Sequence, residues 1–138
     1  MHDNVYVDKK QHIVDFAFNK DVVAVFPDMI RRSVPGYETI IPMTGLIAAR
    51  HLGDEGTAYD LGCSLGASTL AILQQNQAVN VRVVGVDNSS AMIEEAQKQI
   101  SDPRATFQCA DLLNTSIQDA KVVVLNFVAQ FIAPEERL

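Results

Sequence analysis

The chain has 138 residues, a formal net charge of −6 and 48% hydrophobic residues. This length suits one domain with a core, and the composition is that of a soluble globular protein rather than a disordered or membrane-spanning one. Residues 1–50 carry six Lys/Arg and six Asp/Glu, so the negative excess lies in residues 51–138. Because nucleic-acid binders usually present a basic face, direct RNA or DNA binding is disfavoured and a small-molecule ligand is favoured.

Features of the N-terminus and of the cysteines indicate the compartment. The first 16 residues lack the apolar stretch and cleavage site of a secretory signal. Cys63 and Cys109 suit a reducing environment, where they stay free. The three histidines show no metal-ligand spacing, so no metal site is expected. The sequence therefore predicts a cytoplasmic protein without a membrane segment or a metal.

The N-terminal third reads as an arm followed by helices. Residues 1–19 are predicted to form an irregular arm, and residues 20–138 one α/β domain. Helical spacing of apolar residues runs over 21–32, although Pro27 must interrupt it. After a turn at 33–36, a second helix is predicted from about Glu38 to Leu52. Its expected inward positions are Ile40, Met43, Ile47 and Leu52.

The remaining chain alternates strands and helices. The strands are predicted over 57–61, 81–86, 105–109 and 122–127, and the helices over 67–76 and 89–100, the latter capped by Ser89 or Ser90. The fourth strand is apolar enough to be buried on both faces. Strands separated by single helices imply an α/β fold with a parallel, doubly wound sheet.

A glycine-bearing turn, Asp60-Leu-Gly-Cys-Ser-Leu-Gly66, follows the first strand. In open α/β sheets, ligands bind beyond the carboxyl ends of the strands, near the reversal of strand order. Gly62 lets the backbone approach a ligand, Gly66 permits close strand–helix packing, and the N–H groups of the next helix suit a carboxylate. Many α/β domains use such glycines only to turn the chain, so the turn alone is a weak indication.

Asp87 strengthens the case for a ligand site. It follows the second strand, 21 residues after Gly66, close to the ~20-residue interval of an acid that binds ribose hydroxyls. An ionised carboxylate accepts from both hydroxyls of a ribose diol. The structural alternative is capping of the next helix, but beside the glycine turn the ligand role is favoured.

Two further polar residues follow the later strands. Asp111 could accept from an adenine amino group, and Asn126 could donate to and accept from a ligand. Each alone reads as an ordinary loop or strand-end residue. Together with the turn after the first strand and Asp87, they give four consecutive strand ends with polar groups facing one crevice.

The turn distinguishes two nucleotide cofactors. A nicotinamide-cofactor domain expects G-x-G-x-x-G, whereas here Gly62 and Gly66 flank Ser64. Asp60 would be unfavourable beside a pyrophosphate but suits the ammonium of a methionyl group. The sequence therefore favours S-adenosylmethionine. Cys63 has no nearby histidine to activate it, so it reads as a small loop residue rather than a nucleophile.

Several runs are more specific than the glycine turn. The run Val25-Phe-Pro-Asp-Met-Ile-Arg-Arg-Ser-Val-Pro-Gly-Tyr37 is absent from general methyltransferases. The other runs are 59–67, 86–89, 91–93, 124–127 and 130–131. Taken together, they resemble the carboxy-S-adenosyl-L-methionine synthase family over nearly the whole chain beyond residue 19.

The resemblance implies a Rossmann-like S-adenosylmethionine-dependent methyltransferase fold and an unusual transferase. Such synthases convert S-adenosylmethionine and prephenate to carboxy-S-adenosylmethionine and phenylpyruvate, which supplies the carboxymethyl donor for tRNA wobble uridine modification. A homodimer is also implied. The catalytic base remains unassigned. The cofactor-binding residues implied by the matching motifs are Tyr37, Gly62, Cys63, Ser64, Asp87, Asn88, Asp111, Leu112 and Asn126.

One departure from the family leaves alternatives open. Family members continue well past residues 131–137, so we expect a truncated form with about four strands and an exposed apolar edge at 122–127, which favours pairing or aggregation. The alternatives to the synthase are a small-molecule S-adenosylmethionine-dependent methyltransferase and a non-catalytic cofactor-binding fragment. Fold alone does not choose among them.

Overall fold

The structure, a computed structural model, describes residues 36–126. The predicted arm, the helix at 21–32 and the end of the predicted fourth strand lie outside these residues. The described helices and strands are, in chain order, α1 (Tyr37–Leu52), β1 (Glu55–Leu61), α2 (Ala67–Gln75), β2 (Asn80–Asp87), α3 (Ser90–Gln99), β3 (Ala105–Cys109), a 3₁₀ turn (Leu112–Asn114) and β4 (Ala120–Val124).

The strands form a parallel sheet, as the sequence predicts, and their order is β3-β2-β1-β4. Single helices connect β1 to β2 and β2 to β3, and both connections lead away from β4. The strand order therefore reverses at β1, which has β2 on one side and β4 on the other. Because all strands are parallel, their carboxyl ends meet at one edge, and the reversal at β1 is where a ligand crevice is expected.

One face of the sheet forms the core. Strand residues on this face pack against the inner sides of α1 and α2; the buried members of the cluster are Ala48, Leu52, Ala58, Ile72, Leu73, Val81, Val83 and Val124. The strands alternate, so their other side chains line the opposite face. There, Val123 and the nearby Leu125 are 45% and 58% exposed. The prediction that the fourth strand is buried on both faces is therefore wrong for the described residues, because the face that carries Val123 is left exposed.

The inward side of α1 also differs from the prediction. Leu52 is fully buried as expected and Ile40 is half-buried, but Met43 and Ile47 are 49% and 53% exposed. The buried side consists of small residues before Leu52, namely Gly45, Ala48 and Ala49. A Cβ at Gly45 would lie 2.6 Å from the Cβ of Ala71 on α2. Because α1 and α2 approach each other closely, the side of α1 with small residues faces inward. The larger hydrophobic side chains of Met43 and Ile47 are left outside.

Helix α3 begins as the sequence predicts. The Ser89 hydroxyl accepts a hydrogen bond from the Met92 N–H at 3.2 Å, which caps the helix. At the opposite end, Ile100 packs under the β1–α2 turn, where a Cβ at Gly66 would lie 2.6 Å from its Cδ1 atom. Gly66 also has a φ of +88°, so both the conformation and the packing require glycine there.

At the amino edge of the sheet, side-chain donors hold backbone carbonyls. The Arg104 guanidinium donates to the carbonyls of Leu73, Asn76 and Ala78 at 3.1, 2.6 and 3.0 Å, and pairs with Asp102 at 2.8 Å. The Lys121 ammonium donates to the Leu52 and Glu55 carbonyls at 3.0 and 3.1 Å. These cations lie at the C-terminal ends of α1 and α2, where the helix dipoles favour positive charge.

Residues 36–126 contain neither a membrane-spanning helix nor a cluster of metal ligands. No helix in this range is long and apolar enough to cross a membrane. The same residues contain no group of three or more His, Cys, Asp or Glu side chains that could hold a metal ion.

Candidate ligand-binding site at the carboxyl edge of the sheet

The β1–α2 turn is bound to the end of β2. The N–H groups of Gly62 and Cys63 both donate to the Val86 carbonyl, at 2.7 and 2.9 Å. Ser64 adopts a left-handed conformation with a φ of +51°, and its N–H donates to the Asp87 Oδ2 atom at 2.9 Å. The turn is therefore held in this shape by its hydrogen bonds to β2.

Asp87 joins the loops that follow β1 and β2. Its Oδ2 atom accepts from Ser64 in the first loop, and its Oδ1 atom accepts from the Ser89 N–H in the second, at 3.0 Å. Burial raises the pKa of the Asp87 carboxyl, while these N–H donors oppose the shift. Each carboxylate oxygen has a second acceptor position. Joining the two loops and the predicted ribose role are therefore compatible in one side chain, and the cap of α3 is Ser89 rather than Asp87.

Asp60 is a second buried carboxylate at this edge. It is 2% exposed, its Oδ2 atom accepts from the Thr69 hydroxyl at 2.8 Å, and its carboxylate also accepts from the Thr69 backbone N–H. Burial raises its pKa from 3.8 to about 6. Among the described residues, no cationic side chain forms an ion pair with it. At neutral pH, Asp60 is thus a buried negative charge stabilised by hydrogen bonds alone, which favours a ligand cation nearby.

The first turn of α2 retains free backbone donors. The N-cap residue Gly66 offers no side-chain cap, and the Thr69 N–H is already used by Asp60. The N–H groups of Ala67 and Ser68 have no hydrogen-bond partner within residues 36–126. Two donors at the positive end of the helix dipole suit a ligand carboxylate, as the sequence predicts.

Asn126 reaches the same turn from the opposite side of β1. Its Nδ2 atom donates to the Thr44 hydroxyl on α1 and to the Ser68 hydroxyl on α2, both at 3.1 Å. Asp87 and Asn126 therefore flank the β1–α2 turn, one from β2 and one from β4. This arrangement follows directly from the strand order β2-β1-β4.

Comparison with known proteins identifies the family. The family model for a methyltransferase domain matches residues 58–138, which include the whole of this turn. The chain belongs to the methyltransferase domain family.

Relatives of this methyltransferase domain agree with the resemblance found in the sequence. A carboxy-S-adenosyl-L-methionine synthase of Trichlorobacter lovleyi is 50% identical over 99% of the chain, and one of Psychromonas ingrahamii is 45% identical over 99%. The chain spans 58% of the length of each of these relatives. The resemblance to this synthase family is thus confirmed, over the part of the relatives that the chain covers.

A solved structure confirms the fold. The crystal structure of a proposed S-adenosyl-L-methionine-dependent methyltransferase of Methanococcus maripaludis superposes with a TM-score of 0.61. It is 23% identical in sequence, and the match covers 87% of this chain and 58% of that one. The predicted Rossmann-like methyltransferase fold is therefore correct.

The other predicted site residues of this methyltransferase domain lie outside the β1–α2 turn. Tyr37 is half-buried at the start of α1, seven residues before Thr44 and hence on the same side of the helix. Asn88 is exposed directly after Asp87. Asp111 caps the 3₁₀ turn, accepting from the Leu113 N–H at 3.0 Å, and Leu112 is the half-buried first residue of that turn. No hydrogen bond within residues 36–126 joins Asp111 or Leu112 to the β1–α2 turn.

Cys63 is a packed thiol in this turn. It is 5% exposed, and a Cβ at Gly85 would lie 3.0 Å from its Sγ atom. Burial, with the nearby carboxylates of Asp60 and Asp87, raises the pKa of the Cys63 thiol. A protonated buried thiol is a poor nucleophile, which agrees with its interpretation as a small loop residue.

Sequence reasoning missed three polar residues of the site, Thr44, Ser68 and Thr69. The hydroxyls of Ser68 and Thr69 immediately follow the glycine turn, and a polar pair in the first turn of a helix was an available signal. Thr44 gave no such signal, because its partner Asn126 is 82 residues away in sequence.

Proposed function

We propose that this chain provides the S-adenosylmethionine-binding part of a carboxy-S-adenosyl-L-methionine synthase. The observation that carries the proposal is the set of acceptors around the β1–α2 turn. Asp87 lies on the β2 side, Asn126 on the β4 side, and Asp60 beneath the first turn of α2. The names of the relatives support the identity of the ligand and of the product.

The groups at this edge match the polar groups of S-adenosylmethionine in kind and in order. Asp87 supplies acceptors for two ribose hydroxyls. Asp60, whose charge has no ion-pair partner among the described residues, suits the methionyl ammonium and the nearby sulfonium. The free N–H groups of Ala67 and Ser68 suit the methionyl carboxylate. Asp111, on the far side of β2, is left for the adenine amino group, with Leu112, Asn88 and Tyr37 at the rim.

In the proposed reaction, prephenate loses its ring carboxylate as carbon dioxide and its ring hydroxyl as hydroxide, which leaves phenylpyruvate. The sulfonium methyl of bound S-adenosylmethionine loses a proton, its carbon forms a bond to the carbon dioxide, and the proton and the hydroxide leave as water. The bound sulfonium makes its methyl group acidic. The chain's own contribution in this proposal is binding: Asp60 and Asp87 orient the ligand, and the α2 N-terminus holds its carboxylate. The proposed setting is a cytoplasmic homodimer that supplies the carboxymethyl donor for tRNA wobble uridine modification and binds no RNA itself.

The first experiment is mass spectrometry of small molecules released when the purified chain is denatured. A species heavier than S-adenosylmethionine by one carbon dioxide supports the synthase-type site. The purified chain is then incubated with S-adenosylmethionine and prephenate, and phenylpyruvate is measured. If a ligand is released but no phenylpyruvate forms, the chain binds the cofactor without catalysing the reaction. If no adenosyl compound is released and added S-adenosylmethionine does not bind, the proposal is contradicted.

A methyltransferase is the second candidate. It is favoured by the family model, which describes a methyltransferase domain. The two reactions differ in product, because a methyltransferase leaves S-adenosylhomocysteine whereas the synthase retains the methyl group and adds a carboxylate to it. Formation of S-adenosylhomocysteine in the presence of small-molecule acceptors, without prephenate consumption, would favour this candidate.

A further inference from the structure

The hydrogen bonds of Asn126 define the chemistry that this residue can offer a ligand. Its Nδ2 atom carries two hydrogens, and it donates to two hydroxyl oxygens, Thr44 Oγ1 and Ser68 Oγ, at 3.1 Å each. Within residues 36–126, the Oδ1 atom has no hydrogen-bond partner. Once both hydrogens are used, the side chain can act toward a ligand only as an acceptor.

The three residues lie at the reversal of strand order. Asn126 follows β4, Ser68 lies in the first turn of α2 and is 5% exposed, and Thr44 is on α1. Ser68 directly precedes Thr69, whose hydroxyl and N–H hold Asp60. The Asn126 amide and the Asp60 carboxylate are therefore both hydrogen-bonded to the first turn of α2, and among the described residues no cationic side chain pairs with either of them.

We propose that Thr44 and Ser68 are positioning residues that hold the Asn126 amide with its Oδ1 atom toward the ligand, so that this corner selects a cationic donor, the methionyl ammonium. The inference rests on the proposed S-adenosylmethionine site and adds an orientation to it. An asparagine free to rotate would present its NH2 group part of the time, which would repel an ammonium. In the structure both hydroxyls accept from the NH2 group, and this arrangement turns the Oδ1 atom away from them.

The test compares two ligands and matched variants. Wild type, Thr44→Val and Ser68→Ala are titrated by calorimetry with S-adenosylmethionine and with its analogue that lacks the α-amino group. Thr44→Val keeps the shape of the side chain and removes only the hydroxyl. Thr39→Val is the matched control, since Thr39 is an exposed threonine on the same helix. Circular dichroism and thermal melting check that each variant is folded.

The expected result is a loss of selectivity rather than of binding alone. The preference for the amino-bearing ligand should fall roughly tenfold in Thr44→Val and in Ser68→Ala, because a hydrogen bond to a charged group is worth about 1.4 kcal/mol or more. Thr39→Val should leave the preference unchanged. A purely structural role would weaken both ligands equally, and an equal loss would overturn the inference.

A second variant tests the orientation itself. Aspartate at position 126 presents an acceptor whichever way it turns, and it can accept from the rotatable hydroxyls of Thr44 and Ser68. Asn126→Asp should therefore retain the preference for the ammonium, and Thr44→Val should no longer reduce it in that background. Loss of S-adenosylmethionine binding in folded Asn126→Asp would mean that Asn126 donates to the ligand, which contradicts the inference.

The failure of the inference is distinguishable from that of the proposed function. If wild type binds S-adenosylmethionine but the preference is unchanged in Thr44→Val and in Ser68→Ala, the positioning role fails and the binding site stands. If wild type binds neither ligand, the proposed function fails, and the inference fails with it.

Discussion

The two edges of the sheet use opposite kinds of side chain. At the amino edge, Arg104 and Lys121 donate to backbone carbonyls at the C-terminal ends of helices. At the carboxyl edge, Asp60 and Asp87 accept from backbone N–H groups of the loops and of the α2 N-terminus. In a parallel α/β sheet, helix N-termini gather at the carboxyl edge and helix C-termini at the amino edge. The choice of donor or acceptor thus follows from the helix dipoles.

The difference explains why one edge can bind a ligand. The Arg104 guanidinium donates to three carbonyls and one carboxylate, and its side chain is 12% exposed. The carboxylates at the other edge keep acceptor positions after their protein bonds are made, and Asp60 has no ion-pair partner among the described residues. The amino edge is therefore a structural clamp, and the carboxyl edge retains binding capacity.

Removing the clamp should have the largest effect on stability. Arg104→Ala leaves three backbone carbonyls and Asp102 without their donor, so we expect the free energy of unfolding to fall by about 3 kcal/mol. Arg82→Ala is the matched control and should cost about 0.5 kcal/mol or less. Within residues 36–126, the exposed Arg82 donates only to the nearby Val79 and Val81 carbonyls. Urea unfolding measures both. Equal losses in the two variants would show that the amino edge is not a special clamp.

The buried Asp60 should make stability depend on pH. Its pKa is about 6 in the folded state, against 3.8 in the unfolded chain, so the unfolded state loses its proton first as pH rises. Stability contributed by the neutral carboxyl is present below pH 3.8 and is lost between about pH 4 and 6, by about 2–3 kcal/mol. Relative to Asp60→Asn, which does not titrate, wild type should therefore lose this much stability from pH 4 to pH 7 in urea titrations. A constant difference across this range would contradict the assignment.

The same titration should have the opposite effect on binding. A ligand ammonium favours the ionised carboxylate, so the affinity of wild type for S-adenosylmethionine should rise through about pH 6. This pH dependence should be reduced in Asp60→Asn. Calorimetric titrations at pH 5 and pH 7 measure it, and an affinity that falls over this interval would rule out a cation beside Asp60.

Replacing Asp87 should affect binding more than folding. In Asp87→Asn one acceptor oxygen becomes a donor that opposes a backbone N–H or a ribose hydroxyl, so the affinity for S-adenosylmethionine should fall roughly 10- to 100-fold. Because loss of the Ser64 or Ser89 contact also perturbs the loops, circular dichroism must accompany the titration. A well-folded Asp87→Asn variant with wild-type affinity would limit Asp87 to joining the two loops.

The smallest effect is expected at Asp111. This exposed residue caps a 3₁₀ turn and accepts from the Leu113 N–H and the Asn114 amide. Asp111→Asn should change the affinity for S-adenosylmethionine by less than roughly tenfold, because an exposed hydrogen bond is worth about 1 kcal/mol. If Asp111→Asn lowered the affinity for S-adenosylmethionine as much as Asp87→Asn does, the adenine side of the proposed site would contribute as much to binding as the ribose side.

Local sequence patterns predict much of the fold and part of the candidate site. In the alternating region, apolar residues follow the spacing typical of strands and helices, so these elements could be predicted. The Ser89 cap could be predicted because a serine at a helix start is a local signature. Asp87 was predictable because its interval from the glycine turn reflects the length of one β-α-β unit.

Features that depend on distant contacts could not be predicted in the same way. The inward side of α1 is set by the close approach of Gly45 to Ala71, whereas hydrophobicity alone favoured Met43 and Ile47. The Thr44–Asn126 contact joins residues 82 positions apart. The exposure of Val123 depends on which face of the sheet the described helices cover, and a run of apolar residues does not encode that choice.

The most direct test of the contrast between the two edges is a ¹H–¹⁵N NMR spectrum of the chain titrated with S-adenosylmethionine. We expect the amide shifts to concentrate at the carboxyl edge, over residues 62–69 and 87–89 and at Asn126, while the amides around Arg104 and Lys121 stay unchanged. Shifts centred on the amino edge, or none at saturating ligand, would contradict it.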